Sequence, residues 1–175
     1  MSEILTPEKF KYFGKNVKIH EYTKIIYPER VEIGDGSQLD DFVLINGGQG
    51  IVIGRMNHIA SFVSIIGGGL FTTGDYAGIA AGARIITGTH HYGDGMRISP
   101  LIPEAEQCVI RGYVRLEQDV FVGSNAIIFP NVTIGEGAII GAGALVNKDI
   151  TAWTINVGTP SRVVGIRPRI KTNPY

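Results

Sequence analysis

Cysteine is almost missing from this chain: Cys108 is the single one among 175 residues. An internal disulfide is therefore excluded, and a reducing compartment fits. Net charge is missing too, because 16 basic and 16 acidic residues cancel. No basic field for nucleic acid and no polybasic membrane patch follows from that balance. No apolar run approaches the ~18 residues of a membrane span, and the N-terminal MSEILTPEKF has no signal-peptide core. A cytoplasmic protein of one domain, long enough for a real core, is the expectation.

What is abundant is glycine, at 24 residues. Its placement is periodic. Residues 110–151 read in sixes, as IRGYVR, LEQDVF, VGSNAI, IFPNVT, IGEGAI, IGAGAL and VNKDIT. Ile110, Leu116, Val122, Ile128, Ile134, Ile140 and Val146 open the hexads, and each fifth position is small or β-branched. From the second hexad the fourth position holds Asp119, Asn125, Asn131, Gly137, Gly143 or Asp149. Those residue types enter the left-handed backbone region at low cost. Each hexad is then a short strand and a corner; neither a helix nor a plain strand has a period of six. Repeats without their own core must stack on one another, as in a solenoid, and three hexads close one triangular coil.

The same pattern runs from Phe13, with two extra residues after each third hexad. Gly34, Gly54 and Gly74 mark the resulting period of twenty, as do the pairs Gly47-Gly48 and Gly67-Gly68. Small bulges at one corner are expected there. Thr6-Pro7-Glu8-Lys9 has helix-start chemistry and predicts a short helix from Pro7 to about Tyr12, covering the open end of the coil. Residues 91–109 hold no hexad and read as an excursion loop. The expected layout is one domain over 1–175: cap 1–12, coils 13–90 and 110–151, loop 91–109 and a C-terminal segment 152–175.

The run from Ile134 to Asp149, IGEGAIIGAGALVNKD, resembles the hexapeptide-repeat acyltransferases, and the likeness extends over residues 13 to 168. That resemblance implies an all-β fold, a left-handed parallel β-helix, with acetyl-CoA as co-substrate and no metal. It also implies a homotrimer, with active sites between subunits and the loop folded over its neighbour. The hand comes from the family; the spacing alone does not set it.

Ile85-Ile-Thr-Gly-Thr-His90 is similar to the T-x-T-H segment of sugar acetyltransferases, whose histidine is the general base. Imidazole suits that task, since an acceptor must lose a proton as it attacks the thioester near neutral pH. His90 is the expected base; His91, its neighbour on a strand, should face the other way. His58 is a candidate acceptor contact, and so are Tyr92 and Asp94 in the polar loop. The family's asparagine is absent at Ile59-Ala60, where Asn57 or Ser61 could substitute. Val122-Gly-Ser-Asn125 matches the segment whose backbone N–H stabilises the oxyanion, which points to Ser124. Ala142, eighteen residues on, should meet the pantetheine arm. Lys148 in VNKD and Arg162 in PSRV match positions that meet CoA phosphates.

A dinucleotide fingerprint is ruled out, because the glycine spacing around Gly135, Gly137 and Gly141 fails. Zinc catalysis as in the γ-class carbonic anhydrases lacks its pair of histidines five apart. Acetyl transfer to a hydroxyl or amine of a sugar, in a cell-surface glycan or a nucleotide-linked precursor, is the leading expectation, and the T-x-T-H match favours the hydroxyl. Antibiotic O-acetylation and a non-catalytic β-helix scaffold are the alternatives.

Overall fold

The computed structural model describes residues 5–93 and 95–171. Three sheets, parallel except for the closing strand pair of the second, form the sides of a triangular solenoid. The first stacks Tyr12–Phe13, Val31–Ile33, Gly50–Ile53, Leu70–Thr73, Tyr113–Leu116 and Val132–Ile134. The second runs from Lys18–Ile19 through Gln38–Leu39, His58–Ile59, Gly78–Ile79, Phe121–Val122 and Ile139–Ile140 to the closing strands Thr154–Val157 and Arg162–Ile166. The third contains Lys24–Ile26, Leu44–Asn46, Ser64–Ile66, Arg84–Ile86, Ile127–Ile128 and Leu145–Val146. The solenoid is a left-handed parallel β-helix.

The hexad-opening residues fill the interior as vertical columns. Leu39, Ile59, Ile79, Val122 and Ile140 form one; Ile45, Ile65, Ile85, Ile128 and Val146 form another; all are buried. Each aliphatic side chain so buried contributes about 1.5–3 kcal/mol. The strands are too short to stand alone, so this stacking holds them. Asp119, Asn125, Asn131, Gly137 and Gly143 take positive φ as their types suggest, but Asp149 does not. Its carboxylate instead accepts the Thr133 N–H at 2.7 Å, and Trp153 takes the left-handed corner at φ 62°. Bulky Phe42, Met56, Phe62 and Tyr76 also adopt positive φ, a conformation uncommon for such residues. Stacking repays part of that strain. Tyr22, Phe42 and Phe62 form an exposed ladder, with ring centroids 5.5 and 5.0 Å apart.

Three expectations need correction. The N-terminal helix is a single 3-10 turn, Pro7–Lys9, and Tyr12–Phe13 is already a strand. Phe10 ends the turn in an extended conformation and packs inward, 5.1 Å from Phe13. The coil breaks earlier than His90. Gly88–His90 pairs antiparallel with Val109–Arg111 as a two-stranded arm. Ile110 falls on that arm opposite Thr89 and is 42% exposed, so it fills no interior position. The reason is hydrogen bonding: two segments leaving one corner together satisfy each other's backbone groups. Gly112 N–H donates to Thr87 O at 2.8 Å and the coil resumes at Tyr113. The two-residue insertions all lie at the corner joining the third sheet to the first, as a 3-10 turn Pro28–Arg30 and as the positive-φ pairs around Gly48 and Gly68.

Candidate active site

The corner between the second and third sheets changes character along the axis. Its first coils carry Tyr22, Phe42 and Phe62; then come Ala81-Gly82, Ser124-Asn125 and Ala142-Gly143. Gly82 ends the aromatic ladder, and above it the corner is a groove of small residues, with the Asn125 side chain over Gly82. Gly143 N–H donates to Ser124 O at 2.8 Å, so consecutive corners are tied one above the other. Among the described residues, no hydrogen bond uses the N–H of Ser124 or of Ala142. Two open donors on a small-residue groove can receive a thioester carbonyl and an amide-bearing chain.

The closing segment caps this groove. Ser161 N–H donates to Leu145 O at 2.8 Å, Leu145 N–H to Gly158 O at 3.0 Å, and Thr159 Oγ1 to Gly143 O at 3.4 Å. Arg162 follows at once, exposed, with Nη1 donating to Ser161 O at 3.1 Å. Lys148 is elsewhere. It lies between Leu145–Val146 of the third sheet and Ile150, which bridges Ile134 of the first. Ser124, Ala142 and Arg162 therefore share one corner, and Lys148 occupies another.

His58 stands on the second sheet, one coil above Gln38. Its Nε2 lies 2.9 Å from Asp40 Oδ2, and Gln38 Nε2 donates to the other oxygen at 2.8 Å. His20 comes within 4.0 Å of Asp40 and 3.6 Å of Asp41. Burial pushes the Asp40 carboxyl up, but the hydrogen bonds from Gln38 and His58 and the two nearby imidazoles outweigh it and hold it below the usual range. Asp40 was missed in the sequence. Its signal is the period of twenty: Gln38 pairs with His58, and two residues on the strand returns to the same face.

His90 sits half-buried on the arm, opposite Val109, and its Nδ1 is buried without a hydrogen-bond partner. The first threonine of its motif, Thr87, is structural: Oγ1 donates to Ile66 O and accepts the Gly69 N–H, both at 2.9 Å. Tyr92 is exposed on the loop beyond, and Asp94 lies outside the described residues. Asn57 is no substitute for the missing asparagine. It is 3% exposed and joins Thr73, Gly74 and Ala77 inside a corner. Among the described residues no group of three or more His, Cys, Asp or Glu side chains could hold a metal ion, and no helix is long and apolar enough to cross a membrane.

Residues 113–148 match the bacterial transferase hexapeptide (six repeats) family. The chain is 34% identical over 161 residues to the dTDP-4-amino-4,6-dideoxy-D-glucose acyltransferase of Escherichia coli, covering 91% of this chain and 84% of that one. A structure of AntD, an N-acyltransferase from Bacillus cereus, in complex with dTDP and 3-hydroxybutyryl-CoA aligns with a TM-score of 0.86 at 33% identity, over 93% of this chain and 86% of that one. A serine-to-alanine variant of AntD with dTDP-4-amino-4,6-dideoxyglucose and coenzyme A aligns at 0.87 and 34% identity, over 93% and 87% of the two chains. The hexapeptide-repeat acetyltransferase VCA0836 of Vibrio cholerae shares the fold at 23% identity, with a TM-score of 0.63 over 93% of this chain and 74% of that one. The likeness thus runs along nearly the whole length, and the chain belongs to the hexapeptide-repeat acyltransferases.

Proposed function

We propose that the protein transfers an acyl group from a CoA thioester to the amino group of a nucleotide-linked deoxyamino sugar. The observation that carries this reading is likeness over more than nine-tenths of the chain to enzymes named for that acceptor or crystallised with it. The amine replaces the hydroxyl that the T-x-T-H match favoured. The motif's first threonine serves the coil exit, so the match says less about the acceptor than about the fold. A cytosolic setting fits the single half-buried thiol of Cys108.

The donor lies along the groove of Ser124 and Ala142. The Ser124 N–H meets the carbonyl as it gains charge, the Ala142 N–H meets the pantetheine arm, and Arg162 meets a phosphate. Lys148, on the next corner, joins the site when a second copy of the chain brings that corner alongside. The loop supplies a reason for such packing, because Leu101 is 93% exposed and Met96 and Ile98 are exposed beside it. A closed homotrimer makes three equivalent sites of this kind. His90 is carried on the arm at the same corner as Lys148 and acts as proton acceptor for the attacking amine.

A second reading of the base has its own support. His58 is the imidazole already held by a carboxylate, as a general base usually is. His58 lies one strand to the side of the groove and two coil spacings, about 10 Å, from the Ser124 level, with Asp40 one coil farther.

An acceptor panel with thiol release as readout tests the function. It holds free sugars, amino sugars, nucleotide-linked amino sugars and chloramphenicol. Turnover confined to hydroxyl acceptors removes the amine reading, and turnover of chloramphenicol alone removes the sugar. Absence of CoA binding in a calorimetric titration leaves only a scaffold.

A further inference from the structure

The paired glycines of the two-residue insertions serve a purpose that the donor groove does not use. They lie at the corner from which the arm departs, and a hollow of about 410 Å³ opens there. Arg30, Arg111, Tyr27, Asn46, Gln49, Gly48 and Gly68 line it. No carboxylate is among these lining residues. Arg30 comes from the first insertion and Arg111 from the returning strand of the arm, so the chain brings two guanidiniums together from far apart in sequence.

We infer that this hollow binds the diphosphate of the nucleotide-linked acceptor, a site that rests on the amine reading above. Arg30 Nη1 donates to Gly48 O at 2.7 Å, which anchors the side chain across the corner and leaves its Nη2 N–H groups open. The carboxylate nearest to it, Glu29, is 3.8 Å from Nε and outside the hollow. The Arg111 side chain makes no hydrogen bond or ion pair among the described residues. Planar guanidiniums bind phosphate oxygens two at a time, and a pair of them with no acid between suits two linked phosphates. Glycine is required on both tiers. A Cβ on Gly48 would lie 2.5 Å from the backbone of Gly68, and a Cβ on Gly68 would lie 3.3 Å from Arg111 Nε. Both glycines also hold positive φ, at 42° and 69°.

Position supports the assignment. Arg111 pairs across the arm with Gly88, and His90 is two residues farther out. Two strand residues span about 7 Å, roughly the width of one hexose ring. A diphosphate at Arg111 thus leaves the far side of its sugar at the level of His90.

Isothermal titration with dTDP, thymidine, inorganic pyrophosphate, CoA and 3′-dephospho-CoA tests the site, using wild type, Arg30→Gln, Arg111→Gln and Arg111→Lys. Each Gln variant is expected to weaken dTDP about tenfold or more, with CoA unchanged and thermal melting as in wild type. Arg111→Lys, which keeps charge without the planar fork, should fall between. Wild-type dTDP affinity should drop as salt rises. Unchanged dTDP affinity in both Gln variants overturns the proposal. Weakened CoA with unchanged dephospho-CoA also overturns it, since the hollow then belongs to the donor's 3′-phosphate. Binding of pyrophosphate as tight as dTDP that the Gln variants leave intact does the same. Turnover of a nucleotide-linked amino sugar by wild type is measured separately. Its absence sinks the functional reading, whereas normal turnover with an unshifted KM in both Gln variants sinks only the hollow.

Discussion

His58 Nε2 lies 2.9 Å from Asp40 Oδ2, joining two neighbouring coils on the outer face of the second sheet. The pair is diagonal: His58 sits directly over Gln38, and Asp40 is two residues along that lower strand. A carboxylate so placed accepts the Nε2–H, so Nδ1 is the acceptor nitrogen of the neutral ring.

Replacing either imidazole separates the two readings of the base. If His90 is the base, His90→Ala lowers kcat by roughly 10²–10⁴-fold while CoA still binds, and His91→Ala costs far less. If His58 is the base, His58→Ala takes the large loss, and Asp40→Asn, which removes the carboxylate that orients the ring, lowers kcat as well. An amine that arrives partly deprotonated softens either loss, so the variants should recover most at high pH.

Asp40 also predicts how stability responds to acid. Its carboxyl is held low in the folded protein, so the folded state favours the charged form. The contribution is fully present above the ordinary aspartate pKa and is lost as pH falls through the folded value. Asp75, lowered by the hydrogen bonds from the Arg55 side chain and backbone, adds a loss of the same sign. Urea midpoints measured from pH 7 downward should fall on the acid side of that range, and Asp40→Asn should flatten the fall.

Lys148→Ala and Arg162→Ala should each raise the KM for the acyl-CoA donor with little change in kcat, because a phosphate contact is present in ground and transition states alike. Their shared effect despite different corners would mean that two chains build one donor site. A sedimentation mass of one chain at micromolar concentration would remove Lys148 from it.

Asn57→Ala should destabilise the fold by about 1–3 kcal/mol. It removes the partner of the Ala77 N–H and of the Gly74 carbonyl inside a corner. Equilibrium denaturation reads the change, and acyl transfer by the folded fraction should remain normal.

Much of this architecture is legible from residue type and spacing. Leu39, Ile59 and Ile79 announce their column because each is an aliphatic residue at the same point of a twenty-residue turn. The arm is not legible, because Ile110 happens to fall in phase with Leu116. Only the backbone pairing of 88–90 with 109–111 shows that it is outside. The donor groove can be read from Ser124 and Ala142, one coil apart in second hexads. Lys148 belongs to a third hexad, so the same count places it at a different corner. The guanidinium pair is hidden for another reason: Arg30 and Arg111 meet through an insertion and an excursion, the two places where the repeat is broken.

The vertical columns make distance in this protein a matter of counting. His58, Gly78 and Phe121 occupy successive strands of one ladder, each step about 4.8 Å. Side-chain changes can lengthen or shorten a reach by an ångström or two. The offset between acceptor and donor levels can change only by a whole rung, through gain or loss of an entire turn. Evolution of a longer or shorter substrate in such a scaffold is therefore quantised, and the number of turns between the aromatic ladder and Ser124 is the ruler on which it is read.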